Sequence, residues 1–152
     1  MLPWCIAVLL VAALKATAAS PGAPEPSAPL AFSDFFKRPV GPRGLEPGAK
    51  LLALAGSRVT LVGYLVRRTD SDGPLIVAPL PVVLGDEDES LADDLPASIA
   101  YVRPVDHQVE AAIASCSAIV TVTGRLEVGR AAEADGRSSF VRLLADTMRC
   151  TH

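Results

Sequence analysis

Residues 118–128 (AIVTVTGRLEV) alternate apolar and polar side chains along their whole length. A period of two is typical of a β-strand with one buried and one solvated face. The apolar face of this segment predicts core positions, and the polar face predicts solvent contact. The first set is Val120, Val122, Leu126 and Val128, and the second is Thr121, Thr123, Arg125 and Glu127. This segment is therefore predicted to be a strand of a sheet that has one face on the core and the other face in solvent.

Four further segments have the character of strands: 58–66, 75–77, 98–102 and 139–145. Asp72-Gly73 and Asp135-Gly136 are tight-turn signals between neighbouring segments. Two short helices are predicted, one over 47–55 that ends at Gly56 and one over 106–114 with Asp106 as its N-cap. The order is therefore three strands, a helix and two strands.

This order predicts a mainly β fold, a small five-stranded OB-like barrel with one or two short helices. Gly63 and Gly124 interrupt two of the strands, and such glycines favour a bulge or sharp coiling at a barrel corner. A β-sandwich is the alternative, although about seven strands are expected there.

The N-terminal part of the chain is predicted to contain an export signal followed by a linker. An apolar run of eleven residues, Trp4 to Leu14, precedes small residues and is too short to span a bilayer, so residues 1–19 are predicted to be a signal peptide. A buried core helix is the alternative. Residues 20–31, rich in Pro, Ala and Ser, are predicted to be a disordered linker. The domain is then 32–152, beginning with an extended arm that holds three phenylalanines, Phe32, Phe35 and Phe36.

Four short motifs carry a resemblance to a protein family: FSDFF (32–36), PRGL (42–45), LAGSRVTLVGY (54–64) and VTGRL (122–126). Together they resemble uncharacterised exported OB-like proteins of Gram-negative bacteria, which implies that fold and export to the periplasm. The chain is also similar to a broader domain of unknown function whose members can accompany transport systems. Those members have a Cys-x-His and Pro-rich segment after the second strand. Residues 77–90 contain neither Cys nor His, so no metal role carries over to them.

The charge balance disfavours a nucleic-acid partner. The chain has 14 Lys and Arg against 17 Asp and Glu, and loss of Lys15 with the leader makes the balance more acidic, whereas nucleic-acid binders carry a net basic domain. Six of the acids fall within residues 86–94. That acidic run is interpreted as a solvated loop. Two alternatives are a calcium site, although the run lacks the features of an EF-hand loop, and a segment folded against an arginine-bearing face.

Without the leader, Cys116 and Cys150 are the remaining cysteines. An even number in an exported protein makes a disulfide the default expectation, and two separate buried thiols are the alternative. Met148, Cys150 and His152 alternate near the C-terminus, so an extended tail would present soft-metal ligands on one side. A Cys116–Cys150 disulfide would remove that thiolate.

Enzymatic activity is not expected, because only His107 and His152 remain in the mature chain and neither is placed in a catalytic set. No cofactor is expected either. In an OB-fold, the second and third strands and the loops joining strands 1–2 and 4–5 form the ligand surface. Those loops carry arginines suited to a carboxylate, a phosphate or an acidic protein surface. They are Arg67, Arg68, Arg130 and Arg137. The alternative is that these arginines simply face water.

The sequence thus predicts a non-enzymatic periplasmic or secreted binding module of an envelope or transport assembly. It would bind a protein partner through the arginine-bearing loops, and no membrane span is expected once the signal is removed. A small metal-handling protein that uses Met148, Cys150 and His152 is the alternative function.

Overall fold

The computed structural model describes residues 25–66, 75–82, 95–114, 116, 119–134 and 136–151. These residues form six strands, two short α-helices and a 3-10 turn at Phe32–Asp34. The strands are β1 (Ala28–Leu30), β2 (Arg58–Leu65), β3 (Leu75–Ala78), β4 (Ala100–Pro104), β5 (Ile119–Ala132) and β6 (Ser138–Thr151). Helix α1 (Ala49–Ala53) precedes β2, and helix α2 (His107–Ala114) lies between β4 and β5. The protein is mainly β, as predicted, with one strand more than expected.

The strands form one mixed sheet whose pairings close on themselves. The order is β1-β2-β3-β4-β6-β5, and β2 pairs with β5 as well, so that strands β2 to β6 form a ring of pairings. The β4–β6 and β1–β2 pairs are parallel, and the other pairs are antiparallel. The single helix between β4 and β5 agrees with the predicted order of elements.

Strand β1 was not expected, because it lies within the segment predicted as a spacer. Ala28, Pro29 and Leu30 pair with Val59, Thr60 and Leu61 of β2. A strand that contains proline is tolerated at a sheet edge, where the missing N–H breaks no ladder. The ordered sheet therefore begins before residue 32, and the residues from 28 onward belong to it.

Strands β5 and β6 run further than the sequence pattern indicated, and two bulges explain the difference. The register between them shifts at Thr123/Gly124, where Thr147 and Ala145 are the partners and Asp146 is left over. A second shift lies between Val128 and Ala131. A bulge inserts one residue and so reverses which positions face the core. A strand predicted from strict apolar–polar alternation therefore ends at the bulge. The extended tail expected at Met148 and Cys150 is thus the second half of β6.

The main core fills the space inside the ring. Val120, Val122 and Leu126, the predicted inward residues of β5, have no exposed surface, and Val128 packs against the core as a partly buried residue. Leu61 of β2 is likewise fully buried. The other core residues come from every strand and from both helices. They include Leu30, Leu51, Val59, Val77, Val102, Val109, Val141, Leu143 and Met148.

The arm is part of the core rather than a loose covering. Phe35 has no exposed surface and belongs to the core cluster, and its ring centroid lies 5.1 Å from that of Phe32. Phe36 contacts Phe140 of β6, with ring centroids 6.0 Å apart. The backbone of the arm is tied to itself by a bridge between Phe36 and Pro47. The aromatic cluster therefore fixes the arm on the sheet.

Different close contacts require glycine at the two positions inside strands. At Gly124 a side chain would place Cβ 2.1 Å from the backbone oxygen of Leu144, at the bulge that the sequence predicted. At Gly63 the space is taken by Phe32 and Val77, whose side-chain atoms would lie 2.6 and 2.7 Å from a Cβ. Gly63 therefore makes room for the arm, and its pairing with β5 continues without a register shift.

Replacing Gly124 by alanine is expected to lower the free energy of unfolding by about 1–3 kcal/mol, because the backbone of β6 must move away. Denaturant unfolding monitored by circular dichroism measures the change. Gly41→Ala is the matched control, since nothing lies within 4 Å of its added Cβ and its φ is negative. Equal stability of the two variants would contradict the close approach at Gly124.

Helix α2 begins at its predicted N-cap, whereas α1 is two residues shorter at each end than the predicted 47–55. The Asp106 carboxylate accepts hydrogen bonds from the backbone N–H groups of Gln108 and Val109, each 2.9 Å long, which confirms it as the N-cap of α2. Gly56 follows α1 with a φ of +79°, a left-handed conformation that favours glycine. None of the helices in the described parts of the chain is long and apolar enough to cross a membrane.

Candidate functional site: a groove between the arm and β4

The outer face of β3 and β4 is covered by the protein itself. Ile76, Ala78 and Tyr101 are buried in a second apolar cluster, whereas Val77, Ala100 and Val102 point into the main core. Val82, Leu95 and Ile99 pack over the second cluster. The strand surface expected to meet a ligand is therefore occupied by residues that flank β3 and β4.

The candidate site lies beside this covered face, where two depressions share a wall. The wall consists of Phe36, Pro96 and Ala97. One depression, of about 290 Å³, extends toward β6 and the turn before it, and the other, of about 490 Å³, extends along the arm. We refer to the two together as the arm groove. Its remaining lining residues are Lys37, Arg38, Pro39, Val40, Leu45, Pro79, Leu80, Leu95, Ser98, Ile99, Tyr101, Arg137, Ser138, Phe140 and Val141.

The arm groove is apolar and solvent-accessible. Val40, Leu45 and Leu80 are 58%, 49% and 62% exposed, and they are half of the six large hydrophobic side chains exposed in the described part of the chain. Exposed apolar side chains are unremarkable singly but indicate a binding surface when they gather in one place. Prolines 39, 79 and 96 add rigid apolar surface to the lining.

The arm groove also has a basic character. Its described lining carries the cationic side chains of Lys37, Arg38 and Arg137 and no carboxylate. Lys37 is balanced by Glu46, whose carboxylate lies 3.0 Å from its Nζ, and Glu46 also meets Arg43 at 2.8 Å. The described part of the groove lining is therefore cationic, and an anionic group would be drawn to it.

The four predicted arginines have different positions. Arg137 lines the groove, and Arg130 is exposed near the second bulge of β5. Arg137 lies in the connection between β5 and β6, whereas Arg130, predicted to lie in the same loop, is part of β5. Arg67 and Arg68 lie outside the described residues. The acidic run 86–94 also lies outside them, including the hypotheses that it binds calcium or folds against an arginine-bearing face.

A buried charge network supports the same turn. Glu133 is nearly inaccessible; it accepts hydrogen bonds from Ser139 Oγ and from Arg103 Nη2, the latter 2.9 Å long. Arg142 donates to Gly129 O at 2.6 Å and to Ser139 Oγ at 3.0 Å, and its Nε meets Glu127 at 3.2 Å. Sequence reasoning missed this network, because its members are up to 39 residues apart and only their shared charge types were visible.

The network determines how Glu133 ionises. Burial favours the neutral acid, but hydrogen bonds from Ser139 and Arg103 and the charges of Arg103 and Arg142 outweigh it. The pKa of Glu133 therefore lies below its ordinary value of 4.5. A carboxylate whose pKa is lowered by folding stabilises the folded state at pH values above its ordinary pKa. That contribution is lost as the pH falls through the pKa of the folded state.

We expect the free energy of unfolding to fall as the pH is lowered from 4.5, and Glu133→Gln to reduce this dependence. At neutral pH the same variant is expected to be less stable by about 1–3 kcal/mol, because the amide removes the ion-pair partner of Arg103 and a negative charge near Arg142. Denaturant titrations at several pH values measure both effects. Glu46→Gln, which removes a more exposed carboxylate outside the network, is the control. Identical acid dependence of wild type and Glu133→Gln would refute the assignment.

The cysteines form the predicted disulfide. Cys116, just after α2, is bonded to Cys150 of β6, with Cα atoms 5.5 Å apart. The Cys150 thiolate of the alternative metal site is therefore consumed, and Met148 is 5% exposed within the core. His152 lies outside the described residues. Among the residues that are described, no group of three or more His, Cys, Asp or Glu side chains could hold a metal ion.

Comparison with known proteins gives a likeness of fold. No protein-family model matches the chain, and no curated protein matches it. The solved structure of a DUF3299 family protein from Pseudomonas aeruginosa PAO1 aligns with 84% of this chain and 98% of that one, at 14% identity and a TM-score of 0.51. That protein belongs to a family of unknown function from a Gram-negative bacterium, so the predicted resemblance to such proteins is supported at the level of the fold.

Proposed function

We propose that this protein is a non-enzymatic binding module, and that the arm groove holds an extended segment of a protein partner. The observation that carries the proposal is the gathering of Val40, Leu45 and Leu80 in a depression whose described charges are all positive. The occupant is therefore an acidic segment with apolar side chains. The apolar residues of the partner would cover the exposed groove residues, and its carboxylates would face Arg38 and Arg137.

The ring of strands β2 to β6 is, in this proposal, an OB-like barrel. Its support is the strand order, the parallel β4–β6 pair and the helix between the third and fourth ring strands. In such a fold the loop between the last two strands contributes to ligand binding. Arg137, in that loop, lines one end of the groove, while the strand face beside it is covered by Leu95 and Ile99. Binding is accordingly shifted from the strands to the arm side.

The proposed setting is the periplasm, with an envelope or transport-system protein as the partner. Two features support it: the apolar leader pattern in residues 1–19 and the Cys116–Cys150 disulfide, which persists in oxidising compartments. Capture of an exposed linear segment by a groove is a recurring mode of protein recognition, which suits such a partner.

A selection from random displayed peptides tests the groove directly. The full chain is immobilised, and enriched peptides are measured by fluorescence anisotropy against wild type and two variants. Peptides that combine Asp or Glu with apolar residues are expected to be enriched. Leu80→Glu is expected to weaken them about tenfold or more, because it places a carboxylate in the groove. Arg38→Glu should act in the same direction.

The controls match the variants in chemistry and exposure. Leu52, on α1 and outside the groove, is 52% exposed, so Leu52→Glu changes a comparable surface leucine. Arg125, exposed on β5, serves in the same way as Arg125→Glu. Failure to enrich acidic peptides, or binding that survives Leu80→Glu and Arg38→Glu, would overturn the proposed site. Equal losses in the control variants would indicate general charge attraction and would also overturn it.

A further inference from the structure

A second depression, polar and separate from the arm groove, lies where β5 and β6 meet the residues that precede β1. Its volume is about 390 Å³. Four hydroxyl side chains and two arginines line it: Ser27, Thr121, Thr123, Thr147, Arg58 and Arg149. Glu25 and Pro26 form its rim. Pockets built from hydroxyl and guanidinium groups recognise ligands rich in oxygen atoms, since they offer many donors.

The register of β5 and β6 sets the spacing of these groups. Thr121 stands opposite Arg149, and Thr123 stands opposite Thr147. Opposed residues on one face of an antiparallel pair have Cβ atoms about 5 Å apart. Threonine also has a restricted χ1, so its hydroxyl is held in position before a ligand arrives. Three hydroxyls and one guanidinium thus form a compact square on the solvent side of the sheet.

The hydroxyls continue into a hydrogen-bonded chain. Thr60 Oγ1 lies 2.9 Å from Thr123 Oγ1 and 2.8 Å from Ser27 Oγ. A hydroxyl has one donor and two acceptor sites, so Thr123 and Ser27, at the two ends, keep capacity for a further hydrogen bond. Such a chain can present a donor or an acceptor at its end by rotating its hydrogens. This property suits a ligand whose own groups are hydroxyls.

The two arginines have different roles. Arg58 is fixed by a two-point ion pair with Asp146, at 2.9 and 2.8 Å, and it also donates to the backbone oxygen of Glu25. It therefore acts as a rigid wall whose charge is largely balanced. Arg149 is exposed on β6 and supplies the positive charge that a ligand can meet. The Glu25 carboxylate at the rim can accept from a ligand hydroxyl.

We propose that this hydroxyl pocket binds a carbohydrate that carries an acidic group. Thr121, Thr123 and Thr147 would exchange hydrogen bonds with the sugar hydroxyls, and Arg149 would face the carboxylate or phosphate. A simple inorganic anion would contact the arginine alone and would make no use of the hydrogen bonds that the threonines offer. A neutral sugar would leave the charge unused. The pocket therefore favours a ligand that has both features.

Titration of the full-length isotope-labelled protein, followed by amide chemical shifts, tests the proposal. The probes are D-glucuronate and glucose 6-phosphate, with glucose and acetate as the neutral and the sugar-free counterparts. Saturable shifts at residues 121, 123, 147 and 149 are expected with the first two probes. Glucose and acetate are each expected to bind at least about tenfold more weakly than the two acidic sugars, since each lacks one class of contact.

Three variants separate recognition from general attraction. Thr121→Val keeps the β-branched shape and removes one hydroxyl, and Arg149→Gln removes the charge. Each substitution is expected to lower the affinity for D-glucuronate about threefold to tenfold. Arg125→Gln is the matched control on the same strand as Thr121 and outside the pocket, and it should leave binding unchanged. The dispersed spectrum of each variant confirms that it is folded.

Several results would overturn the proposal. The absence of saturable shifts with either acidic sugar would do so, as would acetate binding as well as D-glucuronate, which would mark a plain anion site. Equal losses from Arg125→Gln and Arg149→Gln would indicate charge attraction without a site. Because the arm groove shares none of these residues, the outcome is independent of the peptide experiment.

Discussion

Replacing Phe35 by alanine is expected to lower the free energy of unfolding by about 3–5 kcal/mol, the loss typical of a fully buried phenylalanine. The ring has no exposed surface, and it packs in the main core beside Phe32, whose own ring occupies the space that Gly63 leaves. Removal of the Phe35 ring leaves a cavity in the core that its neighbours cannot fill without moving. Urea unfolding followed by circular dichroism measures the loss.

Val40→Ala provides the comparison within the same arm. Val40 is 58% exposed, so its truncation should change stability by about 0.5 kcal/mol or less. If Phe35→Ala were no more damaging than Val40→Ala, the arm would be a covering that the fold does not need. A large loss in Phe35→Ala alone would instead make the arm groove a fixed feature of the domain, since its wall includes the neighbouring Phe36.

Loss of the disulfide is expected to destabilise the protein by about 3.5–4 kcal/mol. Cys116 and Cys150 are 34 residues apart, and closing a loop of that length removes this much chain entropy from the unfolded state in the loop-entropy description. The double variant Cys116→Ala/Cys150→Ala avoids leaving a lone thiol. Its denaturation midpoint is compared with that of the oxidised wild type.

Reductant supplies the control for this prediction. Wild type treated with dithiothreitol should unfold at the midpoint of the double variant, and the double variant should not respond to dithiothreitol. A reduced wild type with an unchanged midpoint would mean that the cross-link adds nothing to stability. The comparison also separates the loss of the bond from the loss of packing at the two sulfur positions, since reduction removes only the former.

The sequence predicted the elements whose signals are local. The alternation in β5 and the N-cap at Asp106 depend on neighbours within a few residues, and the structure confirms both. Gly56 has the left-handed conformation expected of it, but α1 ends earlier, at Ala53. The extent of β6 could not be read in this way, because the extra residue Asp146 changes which side of the strand faces the core. Strand β1 was hidden by Pro29, which resembles a linker unless its edge position is known.

The candidate site depends on contacts that no local pattern contains. The arm groove is lined by residues from the arm, from Pro79 and Leu80, from 95–101 and from the start of β6. Of the two arginines predicted in the loop after β5, Arg137 follows the strand and lines the groove, whereas Arg130 lies within the strand. The groove is otherwise marked by the exposure of Leu80 and Val40, and exposure of an apolar residue is a property of the folded chain alone.

The ring of pairings also constrains when the protein can fold. Strand β6 is the last in chain order, and it joins β4 to β5, while β5 in turn joins β2 across more than sixty positions, as between Arg58 and Arg125. A nascent chain that lacks β6 therefore has β4 held only through β3, with an edge open to other strands. Formation of such distant pairs is slow. The ring of pairings can accordingly close only after β6 has been synthesised, and until then the edge of β4 stays available to other strands.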